Sequence, residues 1–170
     1  MKVLTSLVGG LAGAISVTIL HEIARKLAPS APRLDKLGEH ATARLIEKTG
    51  HDAPRGQALR STALAGDLIG NTLYYSLAGT RINKALTTGS LLGLGAGIGA
   101  LKLPQVLGFN EHHTNNTPKK RWLTMGLYIA GGLIAAGVTK WLENRANKKP
   151  LVARTKAPDE AYKPVLDITV

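Results

Sequence analysis

The chain has 170 residues, no cysteine and a formal charge of +11, room for one compact domain and not for two large ones. Disulfides, thiolate metal sites and thiol catalysis are excluded. Its basic residues flank long uncharged runs instead of forming one basic arm, so the charge reads as membrane flanks facing anionic headgroups and not as a nucleic-acid surface.

Residues 3–20 carry no charge over eighteen positions, the lower limit for a spanning helix. Only Lys2 precedes them, and no small-x-small cleavage site follows before His21, so the segment reads as an uncleaved first span and not as a signal peptide. It is expected to continue as HEIARKLA to Ala28 and to end at Pro29 and Pro32. Residues 34–49 space Leu34, Leu37, Ala41, Leu45 and Lys48 at helical intervals, which predicts a short amphipathic helix on the membrane surface or against the bundle. Gly50 and Pro54 bracket a turn.

Residues 61–79 form the second span, with Asp67 as its only charge and Arg60 and Arg81 at its ends. Residues 86–108 form a third apolar segment, uncharged from 86 to 101. It either crosses, with Lys102 snorkelling to the headgroups, or dips in and returns at Pro104 with its backbone hidden in protein or a wet cavity. Crossing is the favoured reading. A polar loop, 109–121, leads to the last span, 122–142, whose ends carry Trp122 and Trp141 as an aromatic belt requires. Residues 143–170 read as a basic polar tail, in which VLDITV is a candidate edge strand.

The expected fold is therefore all-α: an integral membrane bundle of four glycine-rich transmembrane helices (or three plus one re-entrant segment) and one amphipathic helix, over residues 1–142. The basic residues of 21–60 and 109–121 outweigh those of the other side only slightly, so the positive-inside rule gives a weak orientation. A bacterial-type inner or plasma membrane is the expected location.

Nineteen glycines, mostly inside the apolar runs, fall into stripes that let helix backbones approach. They are Gly9 and Gly13 with Ser16 in the first span, and Gly66 and Gly70 with Ala63 and Tyr74 in the second. In the third, Gly89, Gly93 and Gly97 share a side with Ala96 and Ala100. There Leu91, Leu94, Ile98 and Leu101 are expected to face lipid. In the fourth, Gly132 lies with Ala135, Ala136 and Thr139, and Gly126, Ala130 and Gly137 form a second small face. These faces pack within one monomer or against another copy or subunit. The run GLGAGIG lacks a preceding strand, a following Lys-Ser/Thr and an acidic ribose ligand, so no nucleotide cofactor is expected.

Asp67 is the most informative polar residue, because a carboxylate deep in a bilayer must face the bundle, a partner or water. Asn71 and Tyr74 follow on its face, and Thr72 and Tyr75 extend a candidate polar track. That track is either an interhelical hydrogen-bond clasp or a relay for protons, ions or a small polar solute. His21, Glu22 and Arg25 form an interfacial cluster, with Glu22 and Lys26 spaced to pair. HEIAR has Arg25 where a zinc protease needs its second histidine, so it is no zinc motif. His112 and His113 are adjacent and point apart. With His40 and His51 they are insufficient for a metal site, and none is expected.

No nucleophile–base pair is present. The preferred reading is a small membrane subunit or scaffold without catalysis. It packs through its glycine faces, and its partners are lipids, further copies of itself or other membrane subunits. The alternative is an oligomeric channel or small carrier that uses the track around Asp67.

Overall fold

The computed structural model describes residues 2–27, 33–106, 108 and 117–147. Among them every element is helical. Helix α1 spans Lys2–Leu27, α2 Leu34–Lys48, α3 Gly56–Ser76, α4 Ala85–Val106 and α5 Pro118–Asn147, with a 3-10 segment, Leu77–Lys84, between α3 and α4. Three stretches are long and apolar enough to cross a membrane: Lys2–Leu27, Gly56–Leu103 and Pro118–Asn147. The second of these is interrupted at Arg81, whose φ of −126° and ψ of 70° leave the helical region. There the chain turns from α3 into α4.

The helices pack antiparallel. Rising positions on α1 meet falling positions on α5: Gly9 against Thr139, Gly13 against Ala135, and Val17 against Gly131. On α4, Gly89 faces Gly132 and Ala136, Gly93 faces Tyr128 and Ile129, and Gly97 faces Met125. Gly10 meets Thr72 and Ser76 of α3. Thus α1 and α5 form the centre, α3 lies outside α1, and α4 lies outside α5. The N-terminus of α1, the 3-10 segment and the C-terminus of α5 share one end, where Thr5 donates to Glu143 at 2.8 Å and Ser6 packs on Gly79.

Helix α4 is one helix packed along α5, continuous to Val106. Its expected small face is the face that packs, but Leu101, expected to face lipid, is buried. Leu91, Leu94 and Ile98 are exposed. The α4–α5 contact turns slowly round the helix, and by the last turn of α4 it has reached Leu101.

Helix α2 lies at the opposite end. Leu37 is buried, whereas Leu45 is 68% exposed, so the expected apolar stripe packs only through its N-terminal half. The helix closes at Thr49, and Gly50 takes a φ of +81° with its N–H donating to the Glu47 carbonyl at 3.0 Å, a left-handed cap that suits glycine. Arg33 pairs with Asp35 at 3.2 Å, and Asp35 approaches Arg25 of α1 at 4.0 Å. Arg44 of α2 reaches Gly108, just beyond α4. Pro29, Pro32, His112, His113 and the tail beyond 147, including VLDITV, lie outside the described residues.

Candidate functional site

Two tyrosines fix α3 to the rest of the bundle. Tyr75 is 0% exposed and packs with Val17 and Ala135. Its hydroxyl donates to the Tyr128 carbonyl at 3.0 Å. Tyr74 donates to the Leu92 carbonyl at 3.0 Å, and the two rings meet edge to face at 5.6 Å. A buried phenol needs such a partner, and main-chain carbonyls of α4 and α5 provide it. Beyond these contacts α3 packs along α1 and α2 and barely touches α4.

Asp67 and Asn71 lie two and one turns before Tyr75 on the same side of α3. Asp67 is exposed and accepts a hydrogen bond from Asn71 Nδ2 at 2.9 Å. On α4, the missing Cβ of Gly95 faces the Tyr74 hydroxyl at 3.0 Å, and Gly99, one turn further, meets nothing within 4 Å.

The expected track is partly assembled. Asp67, Asn71, Tyr74 and Tyr75 share a side. Thr72 does not: its carbonyl abuts Gly10 of α1, and its hydroxyl is buried without a partner. The histidine cluster divides. His21 sets its ring edge to face on Tyr128 at 5.2 Å, with Nε2 buried and unpartnered. Glu22 instead pairs with Arg25 at 2.6 Å, not with Lys26, because the guanidinium fork presents two donors to the carboxylate.

Tyr128 joins His21 and Tyr75, and sequence reasoning missed it. Its signal was present: it sits one turn after Thr124 and one turn before Gly131 and Gly132, on the buried side of α5.

The glycines separate into two sets. Gly9, Gly13, Gly89, Gly93, Gly97 and Gly132 all sit where an added Cβ would strike a neighbouring helix. Gly66, Gly70, Gly126 and Gly137 meet nothing within 4 Å. Among the described residues no group of three His, Asp or Glu side chains is placed to hold a metal ion. No family model, curated protein or solved structure matches the chain.

Proposed function

We propose that this protein is a small integral membrane subunit, without a catalytic step of its own, that docks onto another membrane helix through α3. The bilayer is of a bacterial inner or plasma-membrane type. Helices α1, α3, α4 and α5 would each cross, and α2 would lie at the headgroups. Trp122 and Trp141, both exposed, are about 28 Å apart at 1.5 Å per residue, close to the thickness of a hydrocarbon core.

One observation carries the docking reading. Midway along α3, Gly66 and Gly70 present an empty small-x-x-x-small face beside an exposed carboxylate. In lipid an exposed carboxylate is costly, and the glycine pair invites close backbone approach. A helix seated there removes the first problem and uses the second. The test is native mass in lipid nanodiscs extracted without detergent exchange. The expected particle exceeds one 17.9 kDa chain. A strict monomer with no co-purifying protein overturns the reading.

A second reading is supported by the meeting of Tyr75, Tyr128 and His21 from three helices, with the bonded Asn71–Asp67 pair on the preceding turns of α3. It is a channel or carrier for protons, ions or a small polar solute. Asp67→Asn in proteoliposomes separates the two: lost flux with unchanged assembly favours transport, and no flux in either protein favours the subunit.

A further inference from the structure

Two buried polar atoms without a partner lie near one level of the bundle. Val17 of α1 meets Gly131 of α5, and one turn on, His21 sets its ring against Tyr128 at 5.2 Å. There His21 Nε2 is buried and bonded to nothing. Thr124, one turn before Tyr128 on the same side of α5, is 0% exposed, and its hydroxyl is also unpartnered. A buried polar group without a hydrogen bond weakens the packing that covers it. The last two turns of α1 therefore cover groups that gain water as a partner when those turns move away. Nearer the start of α1 that conflict is absent from the α5 contact. Gly9 and Gly13 close on Thr139 and Ala135, and the Thr139 hydroxyl donates to the Ala135 carbonyl at 2.8 Å.

We propose that His21 is an acid-sensitive latch: its neutral ring holds the last two turns of α1 on α5, and protonation releases them. A second proton makes the ring a cation, and a buried unpaired charge costs far more than a buried neutral group. The ring faces the Tyr128 phenol from α5, where Arg121, two turns earlier, is exposed. On α3, which meets Gly10 of α1 at Thr72 and Ser76, the antiparallel register brings Arg60 and Asp67 nearest. Both are exposed, and Asp67 is already bonded to Asn71 at 2.9 Å. On α1 itself Glu22 pairs with Arg25 at 2.6 Å, Arg25 approaches Asp35 of α2 at 4.0 Å, and Lys26 is exposed. None of these groups bonds Nε2. The release is local, because Gly9, Gly13 and Val17 keep the rest of α1 in place. A free imidazole titrates near 6.5, so the latch works in the range where histidine switches operate. With the proton excluded from the closed state, the open-to-closed ratio rises tenfold per pH unit below that value, about thirtyfold by pH 5. The latch is independent of what α3 docks onto.

The absence of cysteine lets paired spin labels report the movement in the full chain, held in lipid nanodiscs. One pair, Leu27→Cys with Lys119→Cys, joins the exposed end of α1 to the exposed start of α5. The control pair, Val3→Cys with Asn144→Cys, sits at the other end on exposed positions. Distances are measured by double electron–electron resonance at pH 7.5 and pH 5. The expected result is a longer component in the first pair at pH 5 and an unchanged control pair. His21→Phe keeps an aromatic ring and removes the titration, so it should stay closed at both pH values. If melting in detergent shows that this variant does not fold, His21→Gln replaces it. A first pair that stays closed at pH 5 overturns the latch. So does lengthening that survives without His21, or lengthening of both pairs, which marks general loosening in acid. Asp67→Asn should leave the response intact. Its loss there would mean that the protonated ring moves to Asp67, and that too overturns the release.

Discussion

A glycine in an apolar helix takes its meaning from what its missing side chain would touch. At Gly89 an added Cβ falls on the Gly132 carbonyl and within 2.8 Å of the Ala136 Cβ. Neither wall can retreat without parting α4 from α5. Gly89→Ala should therefore destabilise the fold by about 1–3 kcal/mol, the usual cost of overpacking, read as a lower melting temperature in detergent. Gly66→Ala meets open space and should leave the detergent monomer within about 0.5 kcal/mol of the parent. Its effect should appear only in the mass of the lipid-embedded particle. The two glycines are indistinguishable in sequence, each opening a small-x-x-x-small pair. Packing partners separate them, and those are set by which helices become neighbours. Tyr75 makes a complementary case. Tyr75→Phe keeps the ring among Val17 and Ala135 but removes the hydroxyl's bond to the Tyr128 carbonyl, which is left with its partner inside α5 alone. The expected loss is about 1 kcal/mol, seen as a lower melting temperature.

At the scale of elements, helix positions were legible because charge brackets them. Lys2 and Arg25–Lys26 bound α1, and Arg60 and Arg81 bound the apolar part of α3. The faces were less legible. A helix between lipid and protein is apolar on both sides, so periodicity loses the contrast that marks a soluble amphipathic helix. Leu101 shows this: it reads like Leu94 and Ile98 yet is buried. The polar site was legible on α3, where a lone carboxylate stands out. It was fainter on α5, where Tyr128 is one aromatic among apolar residues and only its spacing from Thr124, Gly131 and Gly132 marks it. Helix α2 is the exception, because polar contacts place it. Burial disfavours the Asp35 carboxylate, but the Arg33 hydrogen bond, the charges of Arg33 and Arg25 and the Lys36 amide outweigh it and hold the group below its usual value. A carboxyl lowered on folding contributes stability that is fully present above its unfolded value. That contribution is lost as pH falls from the ordinary range, about 3.9, through the lowered native value. Acidification across that window should loosen α2 before the central helices, seen as faster amide exchange in residues 34–48. Asp35→Asn should show the same loosening at neutral pH. Unchanged exchange in the variant would mean that Leu37 alone docks the helix.

At the scale of the molecule, the proposed topology depends on α4. Residues 56–103 form one long helical stretch, and its two arms are separate spans only if the 3-10 segment is a true reversal. The packing requires one. The arm after Arg81 places Gly89, Gly93 and Gly97 on α5 in antiparallel order, while the arm before it places Thr72 and Ser76 on α1. With α1 and α5 also antiparallel, Arg81 and Lys84 must lie at the same end as Lys2 and Arg145. Thr49 and Lys119 must lie at the other. Single cysteines at Thr80 and Arg145 should therefore react with a membrane-impermeant maleimide from one side of sealed vesicles. Cysteines at His51 and Lys119 should react only from the opposite side. The decisive pair is Thr80 and Lys119, which bracket α4. If both label from the same side, α4 does not cross and the charged start of α5 moves to the other face. Helix α5 would then cross in the opposite direction from the one that the contacts of Gly131, Ala135 and Thr139 with α1 demand. Labelling of Thr80 and Lys119 from opposite sides is the outcome that supports the proposed fourth crossing, because it alone agrees with the antiparallel glycine contacts.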